Sequence, residues 1–144
     1  MNKVVEQLTQ MIGQESKNIS PSPYGRWLNG KILEVNEGFL KVSYEIREEF
    51  SNPGGIMHGG VLAGMMDELI GMAGYTLNKE GFFVAANINV DFLRPVNVGE
   101  RVVGTTNVVR AGKTMMHIEC QIHNTDNKLV AKAASNLVKM SLKA

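Results

Sequence analysis

The stretch that decides the fold is residues 52–73, which read NPGGIMHGGVLAGMMDELIGMA. From near Gly59 to about Leu77 the chain is apolar on nearly every side, and Asp67 and Glu68 are the exceptions. A helix of this composition has no continuous polar face to turn to water, so it must be buried. We therefore predict one long central helix with the rest of the chain built around it.

Alternating apolar and polar residues on both sides of this helix predict a sheet. Two strands before the helix form a hairpin about residues 36–38, and the four after it are joined by turns short enough for antiparallel pairing. Lys132 and Lys139 are an odd number of residues apart in the last strand, so in a regular strand they would point to opposite faces of the sheet. A bulge near Ala134 or Ser135 would place both on the solvent face. The expected strands are Trp27 to Val35, Phe39 to Arg47, Val84 to Arg94, Glu100 to Ala111, Thr114 to Asn124 and Leu129 to Met140. The expected fold class is α+β, an antiparallel sheet of about six strands around one long helix.

The N-terminal segment is expected to lie outside this unit. Residues 3–12 carry apolar side chains at helical spacing and end before Gly13, which predicts a short amphipathic helix. Residues 14–24 contain the sequence SPSP, which is typical of a linker or loop. We therefore divide the chain into an N-terminal helix and linker, 1–23, and a domain, 24–144.

Composition narrows the functional class. The chain has 144 residues, 44% of them hydrophobic, which suits one globular domain. The single cysteine, Cys120, excludes an internal disulfide and a zinc site with several thiolates, and it suits the reducing cytoplasm. Glu6 and several glutamines interrupt the N-terminal segment, so no secretion signal is expected. The charges in the middle of the apolar helix also make a membrane span improbable.

The net charge of +1 gives no general field for binding nucleic acid. The last third of the chain is nevertheless cationic, because residues 101–144 hold 7 basic and 2 acidic side chains. Solvated strand faces protected by lysine are the simpler interpretation of this excess. A polyanionic ligand bound at that end is the alternative.

Two carboxylates in the middle of the apolar helix are the strongest functional signal. An uncompensated buried carboxylate costs several kcal/mol, so Asp67 and Glu68 cannot both face the sheet. Adjacent helical residues point about 100° apart, which lets one reach solvent or a basic partner while the other faces a cleft. A helical aspartate alone is more often a surface charge. Here, however, the helix starts in a glycine-rich loop, whose unpaired N–H groups and positive dipole end favour an oxyanion.

These residues resemble the hotdog-fold acyl-CoA thioesterases of the phenylacetate-pathway type. Asn52 lies six residues before His58, which begins the sequence HGG, and Asp67 follows the histidine by nine residues. The resemblance extends from about Trp27 to the C-terminus. Further motifs that match it are FLRPV at 92–96, Gly99-Glu100 and AGKT at 111–114.

The resemblance implies hydrolysis of an acyl-CoA, aryl or aliphatic, to the free acid and coenzyme A, with no cofactor beyond the thioester substrate. In similar proteins the residue matching Asp67 is the nucleophile or the general base. The amide of Gly59 polarises the thioester carbonyl, and Asn52 orients water or the acyl group. We expect His58 to support the helix start; polarising the carbonyl or tuning the cleft is the alternative role for it. Similar proteins commonly carry a hydroxyl residue at or near the position of Ala85, which this chain does not.

Basic residues are the candidates for binding the coenzyme A phosphates, because guanidinium and ammonium groups pair with phosphate. We expect Arg94, Arg110 and Lys113 to take this role, with Gly60 at the helix start as a further substrate contact. For each residue singly, a solvated charge is the simpler interpretation.

The spacing of the catalytic candidates implies a dimer. Eight residues separate Gly59 from Asp67, which at 1.5 Å per residue is about 12 Å along the helix. One chain cannot bring both residues to the same carbonyl, whereas two antiparallel chains can. We therefore expect a homodimer with two composite sites, and further association into a dimer of dimers.

A metal site is not expected, because His117 and His123 have no Cys or Asp in ligand spacing. Two other functions are open at this stage. A hotdog hydratase or dehydratase would need a catalytic histidine paired with an acid, and no Asp-x4-His motif is present. A non-catalytic acyl-CoA sensor is expected to carry an output domain, for which residues 1–23 are too short.

Overall fold

The structure is a computed structural model, and it describes residues 2–141. Within those residues, six strands form a single antiparallel sheet. The predicted α+β architecture, with one long helix inserted after the second strand, is confirmed. A 3-10 turn at Glu48–Phe50 follows the first hairpin. The helices are α1 (Lys3–Gln10), α2 (Ser16–Ile19), α3 (Pro23–Leu28) and α4 (Gly59–Thr76), and the strands are β1 (Lys31–Asn36), β2 (Phe39–Glu45), β3 (Phe82–Phe92), β4 (Arg101–Ala111), β5 (Met115–Asn124) and β6 (Leu129–Met140). The strands lie in the sheet in the order β1-β2-β4-β5-β6-β3.

The core lies between α4 and the inner face of the sheet. The helix contributes a buried row that includes Met65, Met66 and Leu69, none of them accessible to solvent. Strand β5 faces this row with Met116, Ile118, Cys120 and Ile122, as its alternation predicts. The apolar composition of α4 is thus satisfied by contact with several strands at once.

The N-terminal helix α1 is confirmed and belongs to the same core. Asn2 caps it, because its Oδ1 accepts hydrogen bonds from Val4 N–H (3.0 Å) and Val5 N–H (3.2 Å). The Asn2 amide also donates to the carbonyl of Thr76, at the end of α4 (2.6 Å). Val4 and Leu8 are buried in the main cluster.

Two predictions for the segment before β1 are wrong. Residues 14–24 are not a simple linker, because α2 and the start of α3 lie there, and Trp27 lies in α3 while the strand begins only at Lys31. The physical reason is that SPSP also contains a helix start. The Ser22 hydroxyl accepts a hydrogen bond from Gly25 N–H (3.1 Å), and Pro23 takes the first helical position, where its missing N–H costs nothing.

The bulge predicted near Ala134 or Ser135 is also wrong. The residues of β6 keep one parity from 131 to 137, and the irregularity lies at Val130, between the pairs that Ala131 and Leu129 make with β5. Lys139 shares the inward parity but lies at the end of the sheet. There its stem packs on Gly81, so its charge escapes the core without a bulge.

In the part of the chain that the structure describes, two surfaces of the fold are not covered by other elements: the edge strand β3 and the outer face of α4. Strand β3 pairs with β6 on one side and is the edge of the sheet, and none of its residues is buried. Helix α4 exposes a row on its outer face that contains Gly60, Asp67, Gly71 and Tyr75. None of the helices within residues 2–141 is both long and apolar enough to cross a membrane.

Candidate active site

His58 organises the start of α4. Its Nδ1 accepts a hydrogen bond from Gly60 N–H (2.8 Å), and its carbonyl accepts from Val61 and Leu62 N–H (3.1 Å each). The side chain is therefore an exposed N-cap, which gives the predicted supporting residue a specific structural position. The cap uses the amide of Gly60, one of the predicted substrate contacts. Only Gly59 N–H in this first turn has no acceptor within residues 2–141.

Gly59, whose amide is free, lines a cleft of about 380 Å³. Phe92, at the end of β3, packs against Gly59 so closely that a methyl group there would lie 3.3 Å from the ring. The cleft brings together three predicted site residues: Asn52, Gly59 and Arg94. Sequence reasoning did not assign its apolar walls to the site, although the exposed Phe92 and Leu93 belong to the quoted FLRPV motif. The lining residues are Asn52, Ile56, Met57, Gly59, Leu62, Phe92, Leu93, Arg94, Pro95 and Val96.

Asn52 shapes the loop that precedes α4. Its Oδ1 accepts hydrogen bonds from Gly54 N–H (2.9 Å) and from Ile56 N–H (3.4 Å). Its backbone N–H donates to the carbonyl of Ile56 (2.8 Å). The side-chain NH₂ group has no acceptor within the part of the chain that the structure describes, so it is free to donate, and Asn52 lines the cleft.

Asp67 and Glu68 have different surroundings, as their angular separation predicts. Asp67 lies on the exposed outer face of α4, where neighbouring atoms still desolvate it enough to raise its pKa. Glu68 turns toward α3, and a methyl group at Gly25 would lie 2.8 Å from its Oε1. Glu68 also lines a small cavity of about 50 Å³ beneath the N-terminal helices. Among residues 2–141, neither carboxylate has an ion-pair partner.

The remaining predicted residues lie elsewhere along α4. Asp67 does not line the cleft at Gly59. Arg110 and Lys113 are exposed at the turn between β4 and β5. That turn is near the C-terminal end of α4, because Gly74 packs against Met116 at the start of β5. One chain therefore separates the two halves of the predicted site by much of the length of the helix.

The histidines of the outer sheet face do not form a metal cluster. His117 Nδ1 is 2.7 Å from Asn136 Oδ1, an interaction within the sheet. No group of three metal-ligating side chains occurs in residues 2–141. A metal-free reaction remains a prediction, tested below.

Comparison with known proteins finds a matching family model and similar relatives. The family model of the thioesterase superfamily matches residues 54–131. The protein SSO2140 of the archaeon Saccharolobus solfataricus is 31% identical over 108 residues, which are 75% of this chain and 76% of that protein. Human acyl-coenzyme A thioesterase 13 is 28% identical over 128 residues, 87% of this chain and 91% of its own length.

The fold has a solved counterpart. The structure of the PaaI protein from the phenylacetic acid degradation operon of E. coli superposes with a TM-score of 0.83, and the match covers 97% of this chain and 96% of that one. The two sequences are 22% identical, so the likeness concerns the fold. It confirms the predicted hotdog arrangement, a sheet wrapped around one central helix.

Proposed function

Because the chain belongs to the thioesterase superfamily, we propose that it hydrolyses the thioester bond of an acyl-coenzyme A. The observation that carries this proposal is Gly59 at the positive end of α4, which lines a partly apolar cleft and whose N–H has no acceptor within residues 2–141. Such a donor stabilises negative charge developing on a carbonyl oxygen. The similarity to human acyl-coenzyme A thioesterase 13 supports coenzyme A as the carrier of the acyl group.

In the proposed reaction the thioester carbonyl oxygen binds at Gly59 N–H. The side-chain NH₂ of Asn52 orients the acyl group or a water molecule in the same cleft, and Arg94 at its rim pairs with the coenzyme A phosphates. Asp67 acts on the carbonyl carbon either directly or through water. Its raised pKa suits a general base better than that of a fully solvated aspartate would.

We further propose that each site is built from two chains. The cleft at Gly59 does not contain Asp67, and a second, antiparallel α4 would supply that carboxylate from the partner. The same arrangement would bring Arg110 and Lys113, at the C-terminal end of one α4, toward the Gly59 end of the other. The exposed outer face of α4 and the exposed edge strand β3 support this pairing.

The test is to incubate the protein with aryl, short-chain and long-chain acyl-CoAs and a thiol reagent. Hydrolysis releases free coenzyme A and a carboxylic acid, and the acyl group that reacts fastest identifies the substrate class. Binding without thiol release would instead indicate a sensor, and water added to an enoyl-CoA without loss of the thioester would indicate a hydratase.

Exhaustive chelation should leave the rate of hydrolysis unchanged, since no metal step is proposed. Loss of the rate and its recovery with a divalent ion would contradict this.

A further inference from the structure

Tyr24 projects from α3 onto the outer part of α4, one turn before Asp67. Its Oη fills a notch at Gly64, where a methyl group would overlap this oxygen and lie 2.9 Å from Cζ and 3.1 Å from Cε2. A side chain at position 64 would therefore displace the hydroxyl from this notch. The ring stacks on Trp27 with 5.8 Å between ring centroids, which fixes the direction of the phenol.

The position of Gly64 sets the distance from the Tyr24 hydroxyl to Asp67. Residues three apart on a helix share a face, with about 5–6 Å between Cβ positions. Helical side chains also lean toward the N-terminus, so the Asp67 carboxylate leans back toward Gly64 and the hydroxyl above it. A separation of this size accommodates one bridging water molecule.

The Tyr24 hydroxyl and the Asp67 carboxylate both have unused hydrogen-bonding capacity. Neither makes a hydrogen bond to any group within residues 2–141. Burial, followed by the negative charges of Glu68 and Asp67, raises the pKa of Tyr24, which agrees with the closeness of the three groups. Glu68 packs against Gly25 and its charge also acts on Tyr24, whereas Asp67 lies on the exposed outer face of α4, one turn from the hydroxyl at Gly64. Asp67 is therefore the carboxylate positioned to share a solvent water with the phenol.

We propose that Tyr24 is a positioning residue that holds the attacking water beside Asp67 of the same chain. The inference rests on the proposed hydrolysis. The water donates one hydrogen bond to Tyr24 Oη and gives its other proton to Asp67 as its oxygen bonds to the carbonyl carbon. The carbon–sulfur bond then breaks, and the leaving thiolate takes the proton from Asp67. Tyr24 keeps its own proton throughout.

The direct test is Tyr24→Phe, which removes the hydroxyl and keeps the ring on Trp27. We expect kcat to fall on the order of tenfold, the effect of one hydrogen bond, with KM changed less than about twofold. Thr9→Val is the control, because it removes an exposed hydroxyl on α1, away from the outer face of α4, and it should leave both constants unchanged. A wild-type kcat in Tyr24→Phe would overturn the proposal.

Gly64→Ala tests the same point with the hydroxyl present but displaced from its notch. It should lower kcat like Tyr24→Phe. Gly71→Ala adds a methyl group to the same outer face, where it meets nothing within 4 Å of its own chain, so any loss that it causes reports on the pairing of two chains rather than on the hydroxyl. Sedimentation of each variant checks that the oligomeric state is kept. Equal activity losses for the two alanine variants in the same oligomeric state would mean that the helix surface as a whole is responsible, and would contradict a role for the hydroxyl.

Titration of the phenol separates this inference from the proposed function. The tyrosinate absorbance that the wild type shows and Tyr24→Phe lacks belongs to Tyr24. The pKa of Tyr24 should fall in Asp67→Asn, because a nearby negative charge is removed. An unchanged pKa would show that the two groups do not interact. If the wild type hydrolyses no thioester, the proposed function fails, while this titration still reports whether the pair exists.

Discussion

At the scale of single residues, Asp67 and Glu68 are sequence neighbours with different surroundings. Asp67 is exposed on the outer face of α4, whereas Glu68 is turned against α3. We expect Asp67→Asn to lower kcat by on the order of 100-fold or more, because an amide cannot accept the proton. Glu68→Gln should have a much smaller effect. Steady-state assays of both variants check this, and equal losses would contradict the assignment.

Folding of the Asp67→Asn protein provides the control. A carboxyl group whose pKa is raised in the folded state favours folding while it is protonated, and this contribution is lost as the pH rises through the folded pKa. The neutral asparagine should therefore be at least as stable as the wild type at neutral pH. Urea unfolding of both proteins at pH 7 measures this, and a clearly less stable variant would mean that the lost activity reflects damage to the fold.

The raised pKa of Asp67 also predicts how kcat/KM falls at acid pH. If Asp67 must be ionised to act, kcat/KM should fall as the pH drops through its pKa. Because burial raises that pKa, the fall should occur above the pH expected for a solvated aspartate. A profile measured from pH 4 to pH 8 checks this. An acid limb at the ordinary aspartate value, or none, would remove Asp67 from the proton transfer.

At the scale of elements, the start of α4 depends on the cap made by His58. Replacing His58 with alanine leaves Gly60 N–H without its acceptor, so the free energy of unfolding should fall by about 1 kcal/mol. Asparagine is a good N-cap and should restore most of the loss. Denaturant unfolding of the two variants makes the comparison. If His58→Asn is as unstable as His58→Ala, the imidazole stabilises the protein by something other than the cap.

The helices and strands were predictable from the sequence where burial in the core determines the spacing of apolar residues. The alternation in β5 and the apolar run of α4 predicted both elements, because each buries one face or nearly all of its surface in the core. Trp27 was misassigned because the start of α3 depends on a local cap at Ser22 rather than on periodicity. The prediction of a bulge in β6 was wrong because Lys139 reaches solvent from the end of the sheet. The parity of the lysines in the sequence does not show where the sheet ends.

At the scale of the whole molecule, the candidate site was only partly predictable. The motif around His58 located the helix start, and Asn52, Gly59 and Arg94 do line one cleft. The apolar wall at Phe92 and the notch that Gly64 offers to Tyr24 were not foreseen, because each joins elements that are distant in sequence. Local spacing predicts residues on one helix, whereas contacts between elements depend on the assembled fold.

The proposed composite site can be tested by mixing two variants, because only a dimer of the two chains combines an intact Asp67 with an intact Asn52. If Asp67 of one chain works with Asn52 and Gly59 of the other, Asn52→Ala and Asp67→Asn proteins should each be weak alone. Refolded together, they form hybrid dimers in which both defects fall in one site and the other site is wild type. Random equal mixing makes about half of the dimers hybrid, each with one good site of two, so activity should return to about a quarter of wild type.

The control for this experiment is proof that the chains have exchanged, which native mass spectrometry of the mixture provides. A tetramer would leave the arithmetic unchanged as long as each site draws on one pair of chains. The cleft at Gly59 lacks Asp67 within a single chain, and a carboxylate about 12 Å along a rigid helix cannot move into it. Activity no higher than the average of the two variants, with exchange verified, would therefore mean that hydrolysis does not need Asp67 and Gly59 at one carbonyl.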